Sequence, residues 1–235
     1  MPQPYFRFKQ FTVYHDRCAM KVSTDACLFG AWCAEALRAD PPANLLDIGA
    51  GTGLLSLMIA QQCPTRIEAV EIDSEAAAQA ARNVAAAPFD GITIREGDVL
   101  ELPLGQYACI VSNPPFYENE ISTQDPARQV AHHSGGLRWP ALFSFLKRHL
   151  TGGGNAFLLL PYKRRADLLK LATGNGLHLQ ALATVHPTPG HAPARLLVRL
   201  GLDASTLREE VIHIKVGEYY SERFTELLKP YYLYL

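Results

Sequence analysis

The chain reads as short, continuous apolar runs separated by stretches whose apolar positions recur at helical spacing. Residues 44–48, 66–72, 92–95 and 107–111 are runs of the first kind, and such runs suit strands of a parallel sheet buried on both faces. Between them, 54–62 and the alanine-rich 74–87 have helical character, with Ser74 placed to cap the second helix and Pro88 to stop it. Strand and helix therefore alternate, which predicts an α/β, doubly wound, mostly parallel sheet with right-handed crossovers. Further on, 140–150 reads as a helix stopped by Thr151-Gly-Gly-Gly154, 155–160 as a fifth strand and 167–171 as another helix. Residues 177–185 and 195–200 are two late strands separated by a proline-rich turn, predicted to pair as an antiparallel edge. A strand over 211–216 and a helix over 221–229 complete the pattern. Ahead of the sheet, 6–11 alternates weakly as a hairpin strand would, and 25–37 predicts a helix with its N-cap near Thr24. Pro41-Pro42 marks a boundary. Residues 1–40 are thus expected to form an N-terminal extension or lid, and 41–235 the single main domain.

Two strand ends carry chemistry. The run 107–111 is closed by Ser112-Asn113-Pro114-Pro115-Phe116, where neither proline can donate to a ladder, so the strand stops abruptly. The corner lies at a strand's carboxyl end, where open α/β sheets bind ligands. It presents an amide, fixed carbonyls and an aromatic face there. The run 44–48 is followed by Gly49-Ala-Gly-Thr-Gly53 and then a helix, a turn whose backbone a ligand can approach closely because glycines remove Cβ atoms and tolerate positive φ. A dinucleotide fingerprint would place glycine at Leu54, so the turn speaks against a nicotinamide or flavin enzyme. Glu71 ends the second strand, where a carboxylate can accept both ribose hydroxyls of an adenosine group, and Asp98 follows the third strand, able to take an adenine amine. Asp47, the last polar residue before the turn, either orients that loop or meets a positive ligand.

Composition narrows the setting. The chain has 235 residues, 48% hydrophobic and 19% charged, which suits one α/β domain with a sizeable core. No run approaches the roughly 18 apolar residues of a membrane span, and the first residues lack the order of a signal peptide. A cytoplasmic monomer with no membrane association is the resulting expectation. Five scattered cysteines without a C-x-x-C pair read as reduced thiols, and His132-His133 has no second ligand pair at metal spacing, so no metal is expected. A net charge of −1 excludes a generally basic nucleic-acid coat but leaves room for a local basic face.

In order along the chain, Asp47-Ile-Gly-Ala-Gly-Thr-Gly53, Glu71, Asp98 and Asn113-Pro-Pro-Phe116 resemble class I S-adenosylmethionine-dependent methyltransferases with an N-P-P-[FY] amino-methylating motif. The flanks narrow the likeness: Phe8-Lys-Gln-Phe-x-Val-x-His-Asp-Arg-Cys-Ala-Met-Lys-Val-x-Thr-Asp25, and Tyr220-Ser-Glu-x-Phe-Thr225 with the tyrosine-rich end, resemble bacterial tRNA(Val) adenine-N6 methyltransferases. The resemblance implies a Rossmann-like, seven-stranded sheet with an antiparallel edge. It implies S-adenosylmethionine as cofactor and adenosine 37 of a tRNA as acceptor. It also implies a cofactor pocket of Thr24, Asp25, Asp47, Gly49, Gly51, Gly53, Glu71, Ile72, Asp98, Val99 and Asn113, with Asn113, Pro114, Pro115 and Phe116 as the reacting corner. Candidate tRNA contacts are Arg7, Lys9, Arg17 and Lys21 ahead of the sheet, Arg128, His132, His133 and Arg138 after the corner, and Lys163-Arg164-Arg165 after the fifth strand. Three other readings remain beside this one: a release-factor glutamine methyltransferase, an rRNA guanine-N2 methyltransferase, and an RNA-binding scaffold without activity.

Overall fold

A computed structural model describes residues 3–18, 21–114 and 137–235. An amino-terminal hairpin pairs β1 (Tyr5–Arg7) with β2 (Thr12–Tyr14), and α1 (Thr24–Arg38) follows, capped by Ser23, whose hydroxyl accepts from the Ala26 amide. The alternating region then runs β3 (Asn44–Ile48), α2 (Leu54–Gln62), β4 (Arg66–Glu71), α3 (Ser74–Ala85), β5 (Ile92–Glu96) and β6 (Tyr107–Ser112). After it come α4 (Trp139–His149), β7 (Leu150–Pro161), α5 (Arg165–Gly174), β8 (His178–His186), β9 (Arg195–Gly201) and β10 (Arg208–His213). A small hairpin, β11 (Lys215–Val216) with β12 (Tyr219–Tyr220), precedes α6 (Glu222–Leu228).

The main sheet has the order β10-β8-β9-β7-β6-β3-β4-β5. Only β9 is reversed, antiparallel to both β7 and β8. The fold class is as expected, with one strand more than seven: β8 and β9 do pair antiparallel, but the edge is β10, which adds in parallel beside β8. Three boundaries moved for physical reasons. Asp73 rather than Ser74 caps α3, because its carboxylate reaches the Ala76 amide. Ser23 rather than Thr24 does the same for α1. The glycines after α4 do not interrupt the chain but lie inside β7, whose ladder with β6 begins at Tyr107 and Leu150 and shifts register before Cys109 and Asn155. That irregularity accommodates Gly153 at φ 76°.

The core lies on both faces of the sheet. One cluster joins Phe8, Phe11 and Val13 of the hairpin region to α1, α2 and the tail residue Tyr231; the other packs α4 against β6 and β7 through Leu142, Phe143 and Leu146. Seven of the eight strands point the same way, so their carboxyl ends form one rim, and the glycine turn 49–53, Glu71, Asp98 and Asn113 follow the ends of β3, β4, β5 and β6 there.

Candidate functional site

Ile48 and Ser112 are partners in the β3–β6 ladder, so the glycine turn and the Asn113 corner leave the sheet side by side. Ser112 ties them together, donating its hydroxyl to the Ile48 carbonyl at 2.8 Å. Beyond that pair, the amides of Gly49 and Ala50 donate to the Val70 carbonyl at 2.9 and 3.1 Å, which folds the turn over the end of β4. Gly49, Gly51 and Gly53 have φ of 72°, 56° and 78°, values that L side chains rarely adopt. A Cβ on Gly49 or Gly51 would meet nothing within 4 Å, whereas on Gly53 it would touch Ala80 of α3. The first two glycines therefore open onto a cradle, and the third serves helix packing.

Glu71 is buried at the end of β4 and accepts twice from backbone: Oε2 from the Gly51 amide at 2.8 Å and Oε1 from the Asp73 amide at 3.0 Å. It anchors the cradle from below while each oxygen keeps acceptor capacity toward the rim. Ile72 beside it is 51% exposed, an apolar face at the mouth of the site. The Glu71 carbonyl accepts from Gly97, so Asp98 sits on the same rim. Asp98 starts a turn by accepting from the Leu100 amide, and Val99 is buried beneath it.

Asp47 is fully buried. Its Oδ2 accepts from the Ser56 hydroxyl at 2.7 Å, tying β3 to α2, and its Oδ1 has no partner among the described residues. Burial pushes its carboxyl up to about 6, against the stabilising Ser56 hydrogen bond and with a smaller contribution from the charge of Glu71. Asn113 is the other side chain at the rim whose buried acceptor, Oδ1, has no partner among the described residues. A buried amide oxygen without a partner is uncommon in a native protein and calls for a ligand or water.

Several features were not visible in the sequence. Asn83 of α3 is buried and clamps two distant segments: its amide nitrogen donates to the Tyr14 and Thr52 carbonyls, both at 2.9 Å, and its oxygen accepts from the Tyr14 amide at 3.0 Å. The hairpin is thereby fixed to the glycine turn. The segment after β2 lies against the start of α3, where Arg17 faces Glu75 at 3.7 Å, and burial, with the carboxylates of Glu71, Asp73 and Asp16, pushes the Cys18 thiol up to about 11. Asp25, in the first turn of α1, pairs with Arg195 at 2.9 Å across the rim; Thr24 precedes it, exposed. No local spacing could announce contacts between residues this far apart in the chain.

The remaining candidates disperse. Arg7, Lys21 and Arg138 are exposed. Lys9 donates to the Lys229 carbonyl at 2.6 Å, holding the carboxyl-terminal tail, and Arg17 faces Glu75 at 3.7 Å. Arg164 pairs with Asp167 and stacks over Trp139, and Arg165 lies 4.0 Å from Glu209. Pro115, Phe116, Arg128, His132 and His133 lie outside the described residues. Among those described, no cluster of three or more His, Cys, Asp or Glu side chains could hold a metal ion, and no helix is long and apolar enough to cross a membrane.

Comparison with known proteins shows the family. The methyltransferase small domain family matches residues 31–136. The tRNA1(Val) (adenine(37)-N6)-methyltransferase of Phocaeicola vulgatus is 41% identical over 236 residues, covering 99% of each chain. The enzyme of the same description from Aeromonas hydrophila is 41% identical and covers 97% of each. Among solved structures, the ribosomal protein L11 methylase of Lactobacillus delbrueckii superimposes with a TM-score of 0.55 at 16% identity, over 74% of this chain and 76% of that one. The glycopeptide N-methyltransferase MtfA, complexed with S-adenosylmethionine, gives 0.53 at 14%, over 74% and 94%. These two likenesses concern the fold.

Proposed function

We propose, because the chain belongs to the tRNA1(Val) (adenine(37)-N6)-methyltransferase family, that it transfers a methyl group from S-adenosylmethionine to N6 of adenosine 37 in tRNA1(Val). The observation that carries this reading is the buried Oδ1 of Asn113, without a partner among the described residues, one residue past the ladder pair that joins the corner to an open glycine cradle. The residues present fit the cofactor. Gly49 and Gly51 leave room for its backbone-hugging approach, Glu71 has lone pairs for ribose hydroxyls, Ile72 offers an apolar face for the adenine, and Asp98 an acceptor for its amine. Thr24 and Asp25, across the rim, would meet the methionine part.

S-adenosylmethionine, when bound, supplies a methyl already activated by its sulfonium. What the chain must add is aim. The N6 lone pair of adenine is delocalised into the ring, so the amine reacts only when its hydrogens are accepted and its lone pair is turned to the methyl carbon. Asn113 Oδ1 and the Pro114 carbonyl are the acceptors, fixed before substrate arrives by the Ser112–Ile48 bond and the proline ring. Phe116 provides a face on which the extruded base stacks. The named relatives favour adenosine over the glutamine and guanine acceptors, and an intact corner disfavours an inactive scaffold.

Labelled methyl transfer to total tRNA from cells lacking the gene, followed by nucleoside mass spectrometry, tests the reading. N6-methyladenosine at position 37 is expected. Asn113→Ala should lower turnover by about 10²- to 10³-fold, the size of losing one preorganised transition-state contact, with cofactor affinity retained. N2-methylguanosine, or label on protein alone, would overturn it.

A further inference from the structure

The Tyr220-Ser-Glu-x-Phe-Thr225 segment plays no part in the site described above, yet it lies on the same rim. Strand β10 runs parallel to β8, so its carboxyl end, His213, and the β11–β12 hairpin that follows stand on the side of Asn113. Hydrogen bonds from Ile214 to the His186 carbonyl and from Lys215 to the Pro187 carbonyl seat the hairpin against the proline-rich turn between β8 and β9. Ser221 locks its base: the hydroxyl donates to the His213 carbonyl and accepts from the Phe224 amide, capping α6. Tyr220 stacks on Phe224 with centroids 4.7 Å apart, and Lys215 lies 5.5 Å from the Tyr220 ring.

This fixed hairpin exposes its outer face. Tyr219 and Val216 pair across the hairpin and share that face, 79% and 54% exposed; Lys215, paired with Tyr220 on the other face, is exposed as well, and Glu218 is the only carboxylate between His213 and Ser221. From β6 to β10 is four strand spacings, about 19 Å, a distance that a few nucleotides bridge. We propose that the β11–β12 hairpin is a docking platform for the RNA substrate, on which Tyr219 stacks an unpaired base flanking the target nucleotide and Lys215 meets the adjacent phosphate. Aromatic faces beside cations on the rim of a catalytic corner are the chemistry that binds single-stranded RNA. The inference rests on the RNA-substrate reading above.

Fluorescence anisotropy with tRNA, calorimetry with S-adenosylmethionine and steady-state methyl transfer test it on the full chain. The Tyr219→Ala/Lys215→Ala variant should bind tRNA about tenfold more weakly, in line with loss of one stacked base. Its KM for tRNA should rise to match, with kcat, cofactor affinity and the thermal midpoint unchanged. Tyr219→Phe should retain binding, and Lys215→Ala alone should reduce the salt slope by about one. Unchanged tRNA affinity in the double variant refutes the platform even if methylation proceeds normally. So does a wild-type dimer that the double variant dissociates at unchanged RNA affinity, which makes the hairpin an interface between copies. If the variants weaken tRNA binding as expected and no methyl group reaches tRNA, the platform stands and the proposed reaction falls.

Discussion

At Asp47, burial and the Ser56 hydrogen bond oppose each other. The carboxyl is held near 6 rather than in its ordinary range, chiefly by desolvation, so between about pH 4 and pH 6 the folded chain keeps a proton that the unfolded chain has released. Stability then falls as pH rises through that window, by about 3 kcal/mol in all for a shift of roughly two units. Urea unfolding of the native chain and Asp47→Asn should show the variant gaining on the native protein from pH 4 to 6 and the gap levelling off above. A gap independent of pH would refute the buried-carboxylate account. Glu71 is held by backbone instead, each carboxylate oxygen accepting from one amide, of Gly51 and of Asp73. Glu71→Ala removes these acceptors and the proposed ribose contact together, and should weaken S-adenosylmethionine binding more than tenfold in calorimetry. Glu71→Gln, which keeps one carbonyl acceptor, should lose less. Unchanged affinity in the alanine variant would remove Glu71 from the cofactor pocket. The sequence pointed to Glu71 by its place at a strand end; its grip on the glycine turn was hidden because the partner amide lies 20 residues earlier.

At the level of elements, α1 and α2 are pressed together at Gly30. A Cβ there would lie 2.7 Å from the Met58 sulfur and 3.3 Å from Met58 Cβ, and Met58 is fully buried. Helical propensity favours alanine by about 1 kcal/mol, but overpacking a filled core costs about 1–3 kcal/mol. Gly30→Ala should therefore lower the thermal midpoint, and a rise would mean that Met58 moves aside freely. What the sequence disclosed among the elements follows the same logic of range. β3 and α2 match the expected bounds because an apolar run and its flanking glycines decide them locally. The caps moved by one residue because Ser23 and Thr24, or Asp73 and Ser74, are both competent, and only side-chain geometry chooses. β7 begins earlier than the expected 155 and β10 covers 208–213 rather than 211–216, because a β-bulge and an added parallel edge strand depend on partners elsewhere in the sheet. The same holds for the site: the corner, glycines and carboxylates were legible as types at spacings, whereas the Asn83 clamp and the Asp25–Arg195 pair exist only after folding.

For the whole molecule, we infer that residues 1–40 are part of the folding unit of 41–235 and not a detachable lid. Phe8 stacks on Phe11 at 4.6 Å and Phe6 meets Tyr232 at 5.4 Å, so the amino-terminal hairpin packs on the carboxyl-terminal tail. That tail is pinned in turn to α2, where the Tyr231 hydroxyl donates to the Met58 carbonyl at 3.0 Å. Trp32 of α1 packs edge-on against Phe157 of β7 and donates to Glu210, and Arg223 of α6 joins Glu210 to Glu35. Both ends of the chain thus close over one face of the sheet, and removing 1–40 would strip Trp32 from β7 and from Glu210 and take the bidentate partner Glu35 from Arg223. The 41–235 fragment should show no cooperative thermal transition and lose near-ultraviolet circular dichroism. Trp32→Ala in the full chain, a milder cut into the same contact, should cost about 3–5 kcal/mol in urea unfolding. A lid hinged at Pro41-Pro42 would give the opposite pair of results: a fragment that melts sharply near the full-length midpoint, and a tryptophan variant whose stability hardly changes.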